Sequence, residues 1–124
     1  MLSNKKVRPT LPASDMDRAK KFWGETIGLR MSGESPGGVM FDCGDGRLFV
    51  FPSSNAGSNP STYCGFDVDD IEAEVAELKE RGVEFLEYDD GPAKTTNSIA
   101  NPAPNVKSAW FKDSEGNIIG LAQM

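Results

Sequence analysis

The sequence contains no histidine. That single absence excludes imidazole acid/base chemistry, Ser-His-Asp and Cys-His nucleophile pairs, and any metal site built on a His ligand. A metal would have to be held by carboxylates or thiolates alone. Cysteine is scarce: Cys43 and Cys64 lie 21 residues apart and match no zinc or redox spacing. Two such residues fit reduced core thiols of a cytoplasmic protein, and one disulfide is the alternative the sequence leaves open. No apolar run reaches the roughly 18 residues of a membrane span. The basic residues Lys5, Lys6 and Arg8 are not followed by an apolar stretch, so no secretory signal is expected there. Basic residues are also in deficit, 13 against 19 acidic, for a net charge of −6. A chain so acidic offers nucleic acid no broad basic face.

What is present suffices for one domain. The chain has 124 residues, and Leu, Ile, Val and Phe make up about a fifth of it, so the core is adequate but lean. Residues 7–13 read as a strand whose prolines, Pro9 and Pro12, suit an edge. Ser14 or Asp15 is expected to cap a helix with Met16, Ala19, Phe22, Trp23 and Ile27 on one face and Gly28 as its stop. Strands at 29–32, 39–43 and 48–51 follow, punctuated by Ser35-Pro36-Gly37-Gly38 and Gly44-Asp45-Gly46. The order then recurs. A strand over 63–68 precedes a helix capped by Asp69, with Glu72 at the capping-box position and Ile71, Val75 and Leu78 as its buried face. Glu77 and Arg81 form an i,i+4 pair, Gly82 ends the helix, and strands at 83–88, 108–112 and 117–122 complete the unit.

Subtraction exposes a repeat. Asp15 to Asp69 and Gly28 to Gly82 are both 54 residues, whereas Asp45-Gly46 matches Glu115-Gly116 at an offset of 70. Two βαβββ units are therefore expected, the second carrying 16 extra residues around 89–106. That segment reads either as a flexible surface loop or as a lid over a pocket.

Three segments carry a family likeness: Pro12-Ala13-Ser14-Asp15-Met16-Asp17-Arg18-Ala19-Lys20-Lys21-Phe22-Trp23 running to Ile27-Gly28-Leu29; Phe66-Asp67-Val68-Asp69-Asp70-Ile71 running to Arg81-Gly82-Val83; and Ala109-Trp110-Phe111-Lys112-Asp113-Ser114-Glu115-Gly116-Asn117. In order and spacing they resemble the vicinal oxygen chelate superfamily, the glyoxalase/bleomycin-resistance/extradiol-dioxygenase group. The resemblance implies an α+β fold of two βαβββ modules, about 5–56 and 60–124 of a single domain spanning 1–124, whose curved mixed sheets surround a cavity. It also implies a homodimer, since such modules often pair across one.

The resemblance places metal ligands on the first and last strand of each module in metal-dependent relatives. The matching positions here are Arg8, Phe49, Tyr63 and Gly120. Phenylalanine and glycine offer no donor, arginine repels a cation, and one phenolate does not make a site. A one-residue slip would offer Val50, Thr62, Cys64, Ile119 or Leu121, of which only Cys64 is a donor. No metal and no cofactor are therefore expected. Period-2 alternation assigns Arg8, Thr10 and Pro12, Phe49 and Phe51, Tyr63, Gly65 and Asp67, and Ile118 and Gly120 to the cavity, with Trp110 at its border. A buried Arg8 would need a partner, and Asp67 is the expected one. The candidate ligand-binding set is thus Arg8, Thr10, Phe49, Phe51, Tyr63, Asp67, Trp110 and Gly120. Catalytic residues are unassigned, Tyr63 and Asp67 being the only positions where metal-free acid/base chemistry could be argued. Glu72, Glu74, Glu77 and Glu80 read as a solvated helix face, and Asp89-Asp90 as turn chemistry.

The expected function is metal-independent binding of an aromatic or amphipathic small molecule in an aromatic-lined cavity, with an antibiotic-sequestering role, as in metal-free members of the superfamily. Net negative charge would favour a cationic ligand. The alternative is a metal-free or divergent lyase, isomerase or dioxygenase of the same superfamily.

Overall fold

Each half of the chain builds one β-sheet in the computed structural model, which describes residues 1–124. The first half contributes β1 (Thr10–Ala13), α1 (Met16–Lys21), β2 (Arg30–Ser35), β3 (Gly38–Cys43) and β4 (Gly46–Pro52). Their sheet order is β1-β4-β3-β2, with β1 parallel to β4 and the other neighbours antiparallel. The second half contributes β5 (Thr62–Asp67), α2 (Ile71–Glu80), β6 (Glu84–Phe85), β7 (Thr95–Thr96), β8 (Ile99–Ala103), β9 (Val106–Lys112) and β10 (Ile118–Gln123). Here the order is β5-β10-β9-β8-β7, with β6 also pairing β9 and β5 parallel to β10. The two expected βαβββ modules are present, with the same strand logic in each.

Alternation sends one side of each sheet under the helices. Leu11, Ala13, Val39, Phe41, Leu48 and Val50 of the first sheet are fully buried, as are Ala109, Phe111, Ile119 and Leu121 of the second. With Ala19 and Trp23 from the first helical segment and Ile71, Val75 and Leu78 from α2 they form one continuous core. The expected buried face of α2 is the observed one. Trp23 of the first module stacks on Phe66 of the second, ring centroids 6.3 Å apart.

Local departures have physical causes. Asp15 caps α1 as expected, its side chain accepting from Arg18 N at 3.0 Å. After one and a half turns the helix widens into a π-helical turn over Phe22–Thr26, closed by Ile27 N donating to Phe22 O at 2.9 Å. The cap of α2 is Asp70 rather than Asp69: its carboxylate accepts from Ala73 N at 3.2 Å. Glu72, expected in a capping box, instead pairs with Lys107 at 2.6 Å. The segment 89–106, expected as a loop or a lid, carries strand from Thr95 onward. It folds into the β7–β8 hairpin, whose turn carries the positive-φ residues Asn97 and Ser98 and whose Ser98 and Ala100 are fully buried.

The modules are locked by the turn between β9 and β10. Glu115 reaches the start of α1: Oε1 accepts from Asp15 N at 2.9 Å and from Arg18 Nη2 at 3.0 Å, and Oε2 from Arg18 Nε at 2.7 Å. Asn117 is fully buried. Its Nδ2 donates to Pro12 O and Asp113 Oδ2, both at 2.9 Å, and its Oδ1 accepts from Gly57 N at 3.0 Å. Gly57 is required there. It has φ +74, and a Cβ would lie 2.7 Å from Glu115 O. Burial alone would raise the Glu115 carboxyl, but the Arg18, Asp15 and Ser114 hydrogen bonds and the Arg18 charge overcome it and hold the group down at about 2. Burial raises Asp113, against the hydrogen bonds it accepts.

Two predictions follow from these contacts. Asp70→Ala lowers unfolding free energy by about 1 kcal/mol in urea titration, whereas Asp69→Ala changes it by less than about 0.5 kcal/mol. Because the folded Glu115 pKa lies below its unfolded value, its contribution is full above about pH 4.3 and is lost as pH falls through about 2. Melting temperatures of Glu115→Gln should therefore fall less steeply between about pH 5 and 2 than those of the parent.

Candidate functional site

The sheet faces turned away from the helices carry the expected site residues, but in two separate patches. On the first sheet, Phe49 and Phe51 stand next to each other on β4, ring centroids 6.4 Å apart and nearly parallel at 11°. The Phe49 ring lies over Gly38, where a Cβ would come within 2.6 Å of it. Gly38 has φ +150, so both the backbone and the ring require a glycine. Thr10 sits opposite Phe49 in the β1–β4 register and is exposed; Pro12, opposite Phe51, is buried. Arg8 is exposed and places its guanidinium 5.1 Å from the Phe49 ring centroid.

The expected Arg8–Asp67 pair does not form. Neither residue takes part in any of the ion pairs of the structure. Arg8 is not buried, so no partner is demanded, and Phe49 supplies its contact. Asp67 is exposed at the end of β5 and lines two clefts, one of which contains Val7 and Pro9 and neither of which contains Arg8.

The second patch centres on Trp110 of β9, directly opposite Gly120 of β10. A Cβ on Gly120 would lie 3.6 Å from the indole and 3.4 Å from Thr62 Cγ2, so the glycine leaves a notch beside the ring. Tyr88 packs edge-on to Trp110, with centroids 5.5 Å apart at 89°. The sequence reading missed Tyr88, which lies in the stretch between β6 and the β7–β8 hairpin. Glu87 fastens that stretch: its carboxylate accepts from Thr95 Oγ1 at 2.7 Å, Ser98 N at 3.0 Å and Ser98 Oγ at 2.6 Å. The Ser98 and Thr95 hydrogen bonds hold the Glu87 carboxyl below its ordinary value.

Tyr63 is not where alternation put it. The β5–β10 register runs Ile118 to Thr62, then Ile119 to Cys64, so Tyr63 is the extra residue of a bulge. Thr62 takes the place beside Gly120, while the Tyr63 hydroxyl accepts from Asn59 N at 3.1 Å and the ring packs on the core. Gly65 and Gly120 are register partners, and Ile118 lies on their side of the sheet, as expected. Tyr63 and Asp67 are four residues apart on one strand, roughly 13 Å, too far for an acid/base pair.

The expected single cavity, walled jointly by Phe49, Phe51 and Trp110, is not enclosed by one chain. The three main clefts lie elsewhere, and none is lined by those residues or by Gly120. Cys43 and Cys64 do not pair with each other in the structure. Burial pushes both thiols up, Cys64 to about 11, so neither is a reactive thiolate near neutral pH.

The residues present do not fit the metal that the fold family implies. The four positions named above hold a guanidinium, a phenyl ring, a phenol tied to a loop amide, and a glycine. No three Cys, Asp or Glu side chains converge on a point that could hold an ion.

Paired βαβββ sheets of this kind define the glyoxalase-type fold. The chain belongs to the Glyoxalase/Bleomycin resistance protein/Dioxygenase superfamily, whose family model matches residues 7–121. Among solved structures it is similar to TnmS3, an antibiotic binding protein from Streptomyces sp. CB03234, at 30% identity and TM-score 0.71, covering 99% of this chain and 98% of that one. It is also similar to a glyoxalase/bleomycin resistance protein from the same Streptomyces, at 31% identity and TM-score 0.65, covering 94% and 97%. A glyoxalase family protein from Enterococcus faecalis shares the fold at TM-score 0.75 and 20% identity, covering 98% and 99%. No curated protein matches the chain. No helix is long and apolar enough to cross a membrane.

Glu87→Ala should release the hairpin from Tyr88. Hydrogen exchange at the Ser98 amide is expected to accelerate by about tenfold or more, with little change in the α2 amides.

Proposed function

We propose that the protein is a metal-independent small-molecule-binding protein that holds an aromatic or amphipathic ligand, in an antibiotic-sequestering role. The observation that carries this reading is the replacement of ligand chemistry by ring surface. Phe49, Phe51 and Trp110 expose flat apolar area on the helix-free faces, next to glycines at 38 and 120 that leave those rings room. Planar molecules bind such surfaces by stacking and by loss of apolar hydration. The likeness to an antibiotic binding protein over almost the full length of both chains supports the same reading. The donor set supports metal independence, because no acidic or thiolate cluster is present to hold an ion.

Neither patch is closed within one chain, so the proposal includes a homodimer in which the sheet of one copy covers that of the other. The unpaired state of Cys43 and Cys64 suits work in the reducing cytoplasm.

The test is a thermal-shift screen against bleomycin-like, mitomycin-like and other aromatic antibiotics. A binder at 100 times its Kd adds about 2.7 kcal/mol to stability. At least one compound is expected to raise the melting temperature and quench tryptophan fluorescence. The quenching should vanish in Trp110→Phe, which leaves Trp23 as the only indole. Gly120→Val, which fills the notch beside Trp110, should weaken that compound by about tenfold or more. A broad panel without any shift overturns the binding reading. Stoichiometric zinc, nickel, manganese or iron in the purified protein overturns metal independence.

A further inference from the structure

Three cations flank one end of the Phe49–Phe51 face. Lys6, Arg8 and Arg47 line a cleft of about 500 Å³ together with Val7, Asp42, Asp45 and the turn glycines. Its two carboxylates, Asp42 and Asp45, offset only part of its three positive charges. Asp42 is already engaged by Arg30 at 3.1 Å and by Arg47 at 3.9 Å. Lys6 Nζ donates to the backbone carbonyl of Asp45 at 3.0 Å rather than to its carboxylate. Arg8 has no acidic partner at all and is held by the ring of Phe49 instead.

That placement determines what Arg8 can do. A guanidinium over a ring keeps its N–H donors, which lie in its own plane, free to take a carboxylate or phenolate bidentately. Arg8 therefore belongs to both features: it lies over the Phe49 ring and lines the cationic cleft. A flat molecule stacked along Phe49 and Phe51 would bring a ring-borne anion to Arg8, with Lys6 and Arg47 adding to the local positive potential. The chain as a whole carries a net charge of −6, so an anionic group on a ligand stacked on this face is best placed toward Arg8, which would orient the ligand.

We propose that the cleft of Lys6, Arg8 and Arg47 is an anion subsite, and that the ligand of the Phe49–Phe51 face is a planar aromatic molecule bearing a carboxylate or an ionised phenol. This rests on the ligand-binding reading of that face and gives the ligand a charge opposite to the one the net charge suggests.

The test is calorimetric titration of the full chain with an isosteric pair, 2-naphthoate and 2-naphthamide, at neutral pH and low salt. The anion is expected to bind about tenfold tighter than the amide. The preference should fall below about threefold in Arg8→Gln, and in the parent at about 0.5 M sodium chloride. Arg8 is exposed and precedes β1, so Arg8→Gln should keep the parent melting temperature. Lys107→Gln removes a cation on β9 that pairs with Glu72, far from the cleft in the fold, and should leave the preference intact. Equal affinity for the two probes, or a preference that survives in Arg8→Gln with Arg47→Gln, overturns the anion subsite while leaving the aromatic face as a binding surface. Binding of neither probe overturns both.

Discussion

The carboxylate of Glu115 is the contact on which the relation between the two modules turns. It comes from the last turn of the second module and serves as an acceptor for the first helix of the first module, taking Asp15 N–H and the Nε and Nη2 donors along one edge of the Arg18 guanidinium. Two residues later Asn117 reaches the opposite side of the same junction, binding the carbonyl of β1 and the amide of the linker. These groups are buried or nearly so, and each has its partners. A buried polar network of this kind specifies one geometry because any sliding of the modules would strand donors and acceptors away from water. The apolar core beneath it, with Trp23 stacked on Phe66, would tolerate a range of offsets; the hydrogen bonds do not.

Fixing the modules fixes where their free faces point. Each sheet turns one side to the shared core and leaves the other bare, and the bare sides hold the aromatic patches. The chemistry follows from what glycine permits. Gly38 lets the Phe49 ring lie against backbone, and Gly120 leaves space beside Trp110. The Phe49 and Trp110 rings have neighbours from less regular stretches, Arg8 just before β1 and Tyr88 from the stretch leading into the inserted hairpin. The family scaffold is thus kept while these irregular stretches shape its exposed faces.

Much of this was readable from periodicity. The buried faces of both helical segments, the glycine stops, and the alternation of Leu48 and Val50 against Phe49 and Phe51 all came through because one residue type repeats at one spacing. What was lost had no local signature. Asp69 and Asp70 are adjacent, and only the backbone decides which carboxylate faces the helix. The bulge at Tyr63 moves that residue out of register without leaving a glycine or proline to mark it. The Arg8–Asp67 pair was inferred from mirrored positions, and mirroring carries no information about depth: Arg8 is exposed, so the electrostatic need that motivated the pair is absent. The hairpin in 89–106 was hidden because Asn97 and Ser98 form its turn without a glycine.

The outer strand β2 has a consequence for solubility. All six of its residues are exposed, a register shift interrupts it between Met31 and Gly33, and its charged side chains are tied off, Arg30 to Asp42 and Glu34 to Lys20. An incoming strand would meet an irregular hydrogen-bonding ladder and charges already committed elsewhere. β2 is therefore a poor template for an added strand, even though half-buried aromatic rings lie a few strands away.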